Sequence, residues 1–152
     1  MEKLSDAELA AWRSFIKAHS KVIEQIEQDL SAQKRVPLTT YDVLIALFEA
    51  PEKKLRLQQL VEKIVLSKSG VTRLVDRLER EGLIRRQISE TDRRGFYAVL
   101  TSEGEQQLRQ AWPVYAKGIK SYFAAPLSAE ELRVMSQAFQ TIQTRLKNLA
   151  EK

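Results

Sequence analysis

Between residues 67 and 100 the hydrophobic pattern changes its period once, and that change restricts the fold more than any other stretch of the chain. Val71, Leu74, Val75 and Leu78 fall at i, i+3, i+4 and i+7, the spacing that lines one face of a helix. Ser67 stands where an N-cap hydroxyl is wanted, and Gly82 where a helix turns out through the left-handed region. After Gly82 the pattern shortens to two extended runs, 83–88 and 96–100, separated by the polar turn Ser89-Glu90-Thr91-Asp92-Arg93-Arg94-Gly95. An amphipathic helix followed at once by a hairpin with a charged tip is therefore predicted.

The flanking sequence is helical by the same signals. Ser5 and Glu8 have capping-box spacing ahead of Leu9, Trp12, Phe15, Ile16, Val22, Ile23, Ile26 and Leu30, which predicts one long helix over about 5–31. Pro37 closes the connection, Thr39 and Asp42 repeat the capping spacing, and Pro51 ends a second helix. A short extended piece at Lys54-Leu55-Arg56-Leu57 leads into a third helix over about 58–65. Beyond the hairpin, Thr101 and Ser102 cap a fifth helix, with Ser102 and Glu105 as its capping pair and Pro113 expected to kink it. Pro126 breaks the chain, and Ser128 with Glu131 opens a sixth helix carrying Leu132, Met135, Phe139, Ile142, Leu146 and Leu149.

The fold expected is mainly α with a small β-wing: a winged helix-turn-helix over about 38–101 within one domain, with dimerisation helices over about 5–31 and 102–150. In that order the fourth helix, joined to the third by only Leu66-Ser67, is the one that would enter the major groove of duplex DNA. Its apolar stripe faces inward and leaves Ser67, Lys68, Ser69, Thr72, Arg73, Asp76, Arg77 and Arg80 on the remaining surface. Hydroxyls and arginines in its first turns can reach base edges, while Lys68 and the helix N-terminus attract phosphate. Charge is distributed accordingly. Residues 53–94 hold twelve Lys or Arg against six Asp or Glu, and the rest of the chain holds thirteen against fourteen. At the hairpin tip an arginine suits the narrow minor groove, and Asp92 is read as the carboxylate that orients it. A solvated basic face and an incidental ion pair are the plainer readings of the same residues.

The run Leu66-Ser67-Lys68-Ser69-Gly70-Val71-Thr72-Arg73-Leu74-Val75-Asp76-Arg77-Leu78-Glu79-Arg80-Glu81-Gly82-Leu83-Ile84-Arg85-Arg86, with Asp92-Arg93-Arg94-Gly95 and Leu100-Thr101-Ser102-Glu103-Gly104, resembles the signature of the MarR family. The resemblance implies a cytoplasmic homodimeric transcription regulator, most often a repressor, whose two winged domains straddle a pseudo-palindromic operator in double-stranded DNA. Carried over residue by residue, it makes Ser67, Lys68, Ser69, Thr72, Arg73 and Arg77 major-groove contacts. Arg94 becomes the wing probe beside Arg93, Asp92 its orienting partner, and Arg86 a supporting contact. Members of the family that resemble this chain also accommodate small aromatic acids. Trp12, Phe15, His19 and Tyr41 lie near the expected junction of the dimerisation and DNA-binding parts, with core packing as the plainer role for these rings.

The dimer has support from the residues as well, because the terminal helices carry more apolar surface than a small winged core can cover. The inventory excludes other classes. With no cysteine there is no disulfide, thiolate metal site or peroxide-sensing thiol. His19 is the single histidine, and neither a Gly-rich phosphate loop nor carboxylates clustered in a recognisable pattern are present, so no catalytic constellation can be assembled and neither an enzyme nor a cofactor is expected. A winged module that binds protein instead of DNA would favour an apolar tip over Asp92-Arg93-Arg94. No stretch of about 18 apolar residues occurs, so no membrane partner is expected.

Overall fold

The structure, a computed structural model, describes residues 3–91 and 95–151. It divides into two compact units, one formed by Ile26–Tyr115 and one by Met1–Gln25 together with Ala116–Lys152. Helix α1, Asp6–Ala32, contributes to both.

In the unit over Ile26–Tyr115, the end of α1 is followed by α2, Leu38–Glu49. The start of α2 departs from the sequence expectation. Pro37 is its N-cap and makes no side-chain cap bond, while Thr39 and Thr40 lie inside the helix. The Leu38 N–H instead donates to Glu27 Oε1 at 2.8 Å, so a carboxylate from α1 does the work of a local cap. A 3₁₀ turn at Pro51–Lys53 and strand β1, Lys54–Arg56, lead into α3, Leu57–Lys63, and α4, Lys68–Arg80. Ser67 caps α4 by accepting from the Gly70 N–H at 3.1 Å, and Gly82 takes φ +76° just beyond its end, as the sequence predicts.

Strands β2, Ile84–Ile88, and β3, Phe96–Leu100, form the hairpin, and β1 adds to its other edge in the antiparallel order β1-β3-β2. Arg56 stands opposite Tyr97 and Arg86 opposite Ala98. The root of the hairpin is held at the start of α5, Ser102–Gly118. The Thr101 N–H donates to the Leu83 carbonyl at 3.2 Å, and its hydroxyl donates to the Gly82 carbonyl at 2.7 Å while accepting from the Gly104 N–H at 3.0 Å. Thr101, not Ser102, is therefore the residue that caps α5. A Cβ on Gly104 would stand 2.1 Å from the Leu83 carbonyl oxygen, so only glycine allows this approach. The helical path continues through Pro113, which leaves the Arg109 carbonyl without its i+4 donor.

The core of this unit is built from Leu30 of α1, Val43, Leu44 and Leu47 of α2, Leu60 of α3, the α4 stripe, Ile84, Ala98, Leu108 and Ala111. Each fully buried aliphatic side chain of this size contributes about 1.5–3 kcal/mol, which is why the stripe of α4 can fix its orientation.

The other unit holds the first part of α1, a π-helical stretch at Ile119–Ala124, and α6, Ala129–Ala150. Ser5 with Glu8 and Ser128 with Glu131 form the two predicted capping boxes: each hydroxyl accepts from the N3 amide and each carboxylate from the cap amide. Phe15 packs on Phe139 with ring centroids 5.5 Å apart. Among the described residues of this unit no apolar side chain is fully buried, and Trp12, Ile16, Val134, Ile142, Leu146 and Leu149 are exposed.

Candidate nucleic-acid interface

Helix α4 buries Val71, Leu74, Val75 and Leu78, and this places Lys68, Ser69 and Arg73 on its solvent face. Neither Lys68 nor Arg73 makes a hydrogen bond or ion pair among the described residues. Ser67 Oγ lies 3.2 Å from Ser69 Oγ, and the Thr72 hydroxyl donates to the Lys68 carbonyl at 3.0 Å. The first turns of α4 thus present two cations and two hydroxyls ahead of a positive helix end, a set suited to phosphate and base edges.

The other arginines differ. Arg77 donates to the buried Thr40 hydroxyl at 3.3 Å and lies 3.7 Å from the Glu81 carboxylate, which ties α4 back to α2. Arg86 pairs closely with Asp76, lies 3.6 Å from Glu79, and covers the Phe96 ring at 4.5 Å. Two carboxylates of α4 therefore hold the guanidinium that β2 contributes, and Arg86 joins helix to wing. Asp92, Arg93 and Arg94 lie outside the described residues. Arg56 is a residue that local pattern did not single out: its guanidinium meets Ser89 and Thr91, 33 and 35 positions away, a separation that leaves no periodic trace.

The four residues singled out for a small ligand fall in different units. Trp12, Phe15 and His19 form a ladder along α1, with centroids 6.0 Å and 6.3 Å apart in turn. Tyr41 belongs to the unit over Ile26–Tyr115, where it meets Tyr115 edge-on at 5.0 Å and Trp112 at 6.3 Å. Burial pushes both phenols above their ordinary range, and the neighbouring Asp42 adds to the effect.

A sequence profile described as MarR family matches residues 36–96. An uncharacterised HTH-type transcriptional regulator of Bacillus subtilis, YkoM, is 32% identical over 120 residues, covering 79% of this chain and 75% of YkoM. The chain belongs to the MarR family. Two solved MarR structures from Streptomyces coelicolor extend the likeness along the whole chain. The transcriptional regulator AbsC superposes with a TM-score of 0.88 at 29% identity, covering 97% of this chain and 99% of AbsC. Sco3205, solved in complex with DNA, gives 0.87 at 26% identity, covering 94% of this chain and 89% of Sco3205. This MarR protein is a DNA-binding transcriptional regulator, and its winged helix-turn-helix is the part the family profile covers almost in full. Among the described residues no helix is long and apolar enough to cross a membrane.

Proposed function

We propose that this regulator acts in the cytoplasm as a homodimer that reads a pseudo-palindromic operator, represses by occluding it, and carries out no catalysis. The observation that carries the reading is the start of α4, where Lys68, Ser69 and Arg73 stand exposed over a buried stripe and, among the described residues, neither Lys68 nor Arg73 is engaged by the protein. Dimerisation is supported by the exposed apolar face of α6, where Ile142 is 54% and Leu146 59% accessible. Apolar side chains at helical spacing, left uncovered within one chain, are what a symmetric interface consumes. The wing arginine Arg94, oriented by Asp92 and with Arg93 beside it, belongs to the same proposal as a minor-groove contact.

The test is the affinity of the purified protein for its operator across a salt series, with sedimentation in parallel. Arg73→Ala should cost about 1–3 kcal/mol of specific binding and relax preference at one base pair per half-site. Undiminished binding by both Arg73→Ala and Arg94→Ala would overturn the docking scheme, and a single 17.5 kDa species at micromolar concentration would overturn the dimer.

A small aromatic acid is proposed as the releasing signal. Exposed rings within each unit, Trp12 in one and Trp112 in the other, each offer an apolar face for stacking and support it separately. Aryl carboxylates should raise the melting temperature and weaken operator binding together, because a ligand that binds only the native state stabilises it by mass action. No effect on either at millimolar concentration eliminates this part of the proposal.

A further inference from the structure

Arg56 ends β1 and immediately precedes α3. Its backbone N–H donates to Gln59 Oε1 at 2.8 Å, which pins the residue at the start of the helix-turn-helix. From there the side chain crosses β3, where its guanidinium carbon lies 4.8 Å from the centroid of Tyr97, its partner in the strand register. Past the ring, Nη2 donates to Ser89 Oγ at 3.1 Å and to Thr91 Oγ1 at 3.4 Å, and these hydroxyls lie 3.1 Å from each other. Ser89 is only 3% exposed, and its N–H donates to the Gly95 carbonyl at 3.2 Å, across the two sides of the hairpin turn.

One guanidinium thus stacks on a ring of β3 and donates to a buried hydroxyl where β2 passes into the turn. A planar fork can do both, whereas the ammonium of a lysine can stack or donate but cannot span the two. A phosphate-binding arginine, by contrast, keeps its donors for the ligand.

We infer that Arg56 is a positioning residue for the wing: it fixes the beginning of the hairpin turn against β1 and α3, so that the wing and α4 meet DNA as one frame. The inference rests on the reading that the wing meets DNA. It does not require Arg56 to touch nucleic acid.

The test uses the full chain carrying Arg56→Ala or Arg56→Lys, each with and without Arg94→Ala. Without DNA, the Ser89 amide should exchange about tenfold faster in both single variants, since the restraint on the turn is lost in each. Operator affinity should fall about five- to tenfold in both, and Arg94→Ala should cost less in either background than in the parent, the signature of coupled positions. Restoration of affinity by Arg56→Lys would assign the effect to charge alone and overturn the inference. So would unchanged Ser89 exchange, or a full additive cost of Arg94→Ala. If Arg94→Ala has no effect in the parent while Ser89 exchange rises in both variants, the anchor stands and the contact between wing and DNA is what fails.

Discussion

The two units of this chain are built from similar helices and solve opposite problems. The unit over Ile26–Tyr115 contains every buried apolar side chain among the described residues, from Ile26 to Val114. The unit made of Met1–Gln25 and Ala116–Lys152 contains none, although α6 repeats apolar residues as regularly as α4 does. A regular stripe therefore specifies an amphipathic helix in both places and a finished core in only one. The difference teaches where self-sufficiency ends: the winged unit buries a core of its own, and the helical unit leaves its apolar stripe exposed, the surface that the proposed dimer would use.

Charge on the helical face should break this contrast most severely. Ile142→Glu with Leu146→Glu is expected to leave the winged unit folded while abolishing the dimer. Operator affinity should then fall by about a hundredfold to ten-thousandfold, the avidity that linking two binding modules supplies. Sedimentation giving a species of 17.5 kDa with near-native circular dichroism would confirm it, and a persistent dimer would show that these faces are not the interface.

A truncation on each side sharpens the comparison. Leu78→Ala, at a position with no solvent exposure, should cost about 2–5 kcal/mol in urea unfolding at any protein concentration. Ile142→Ala should instead produce a loss that grows on dilution, because in the proposed dimer its partner surface comes from association.

Smaller effects separate cations that are held by protein from those that are not. Lys68→Ala should make the dependence of log affinity on log salt shallower by about one unit per half-site. Arg86→Ala should weaken binding without changing that slope, because its guanidinium is engaged by Asp76 and Glu79. A flatter slope for Arg86→Ala would restore it as a phosphate contact.

The smallest effect concerns pH. Burial, with Glu27 nearby, holds the Asp42 carboxyl above its ordinary value of 3.8. A folded-state value above the unfolded one lets the native chain keep a proton that the unfolded chain has lost, so stability falls as pH rises through that window. Asp42→Asn should therefore melt slightly higher than the parent near neutral pH, with the difference vanishing below 3.8. Equal melting at all pH values would show that this carboxylate is solvated.

The elements that the sequence revealed are those whose signals are local. Ser5, Ser67 and Ser128 each cap the helix that follows them, and the stripe of α4 is buried residue for residue. The misreadings arise where distant groups substitute for local ones. Thr39 looked like a cap, but Glu27 satisfies the first amide of α2 from another helix. Ser102 had the right spacing, yet Thr101 takes the cap because its hydroxyl also reaches the Gly82 carbonyl. The third strand of the sheet pairs residues more than forty positions apart, and nothing in Lys54-Leu55-Arg56 announces a partner in β3. Around the interface, the exposure of Lys68, Ser69 and Arg73 followed from the stripe alone, whereas the ties of Arg56, Arg77 and Arg86 depend on side chains brought together by folding.

The clasp at Thr101 and Gly104 gives the hairpin a fixed socket. Both of its ends are set by bonds to Gly82 and Leu83 and by a helix too close to admit any side chain at Gly104. The root of the two strands is thus held apart from the turn that joins them. The socket fixes where the strands begin, while the start of the turn is held separately, by Ser89 and Thr91 against Arg56.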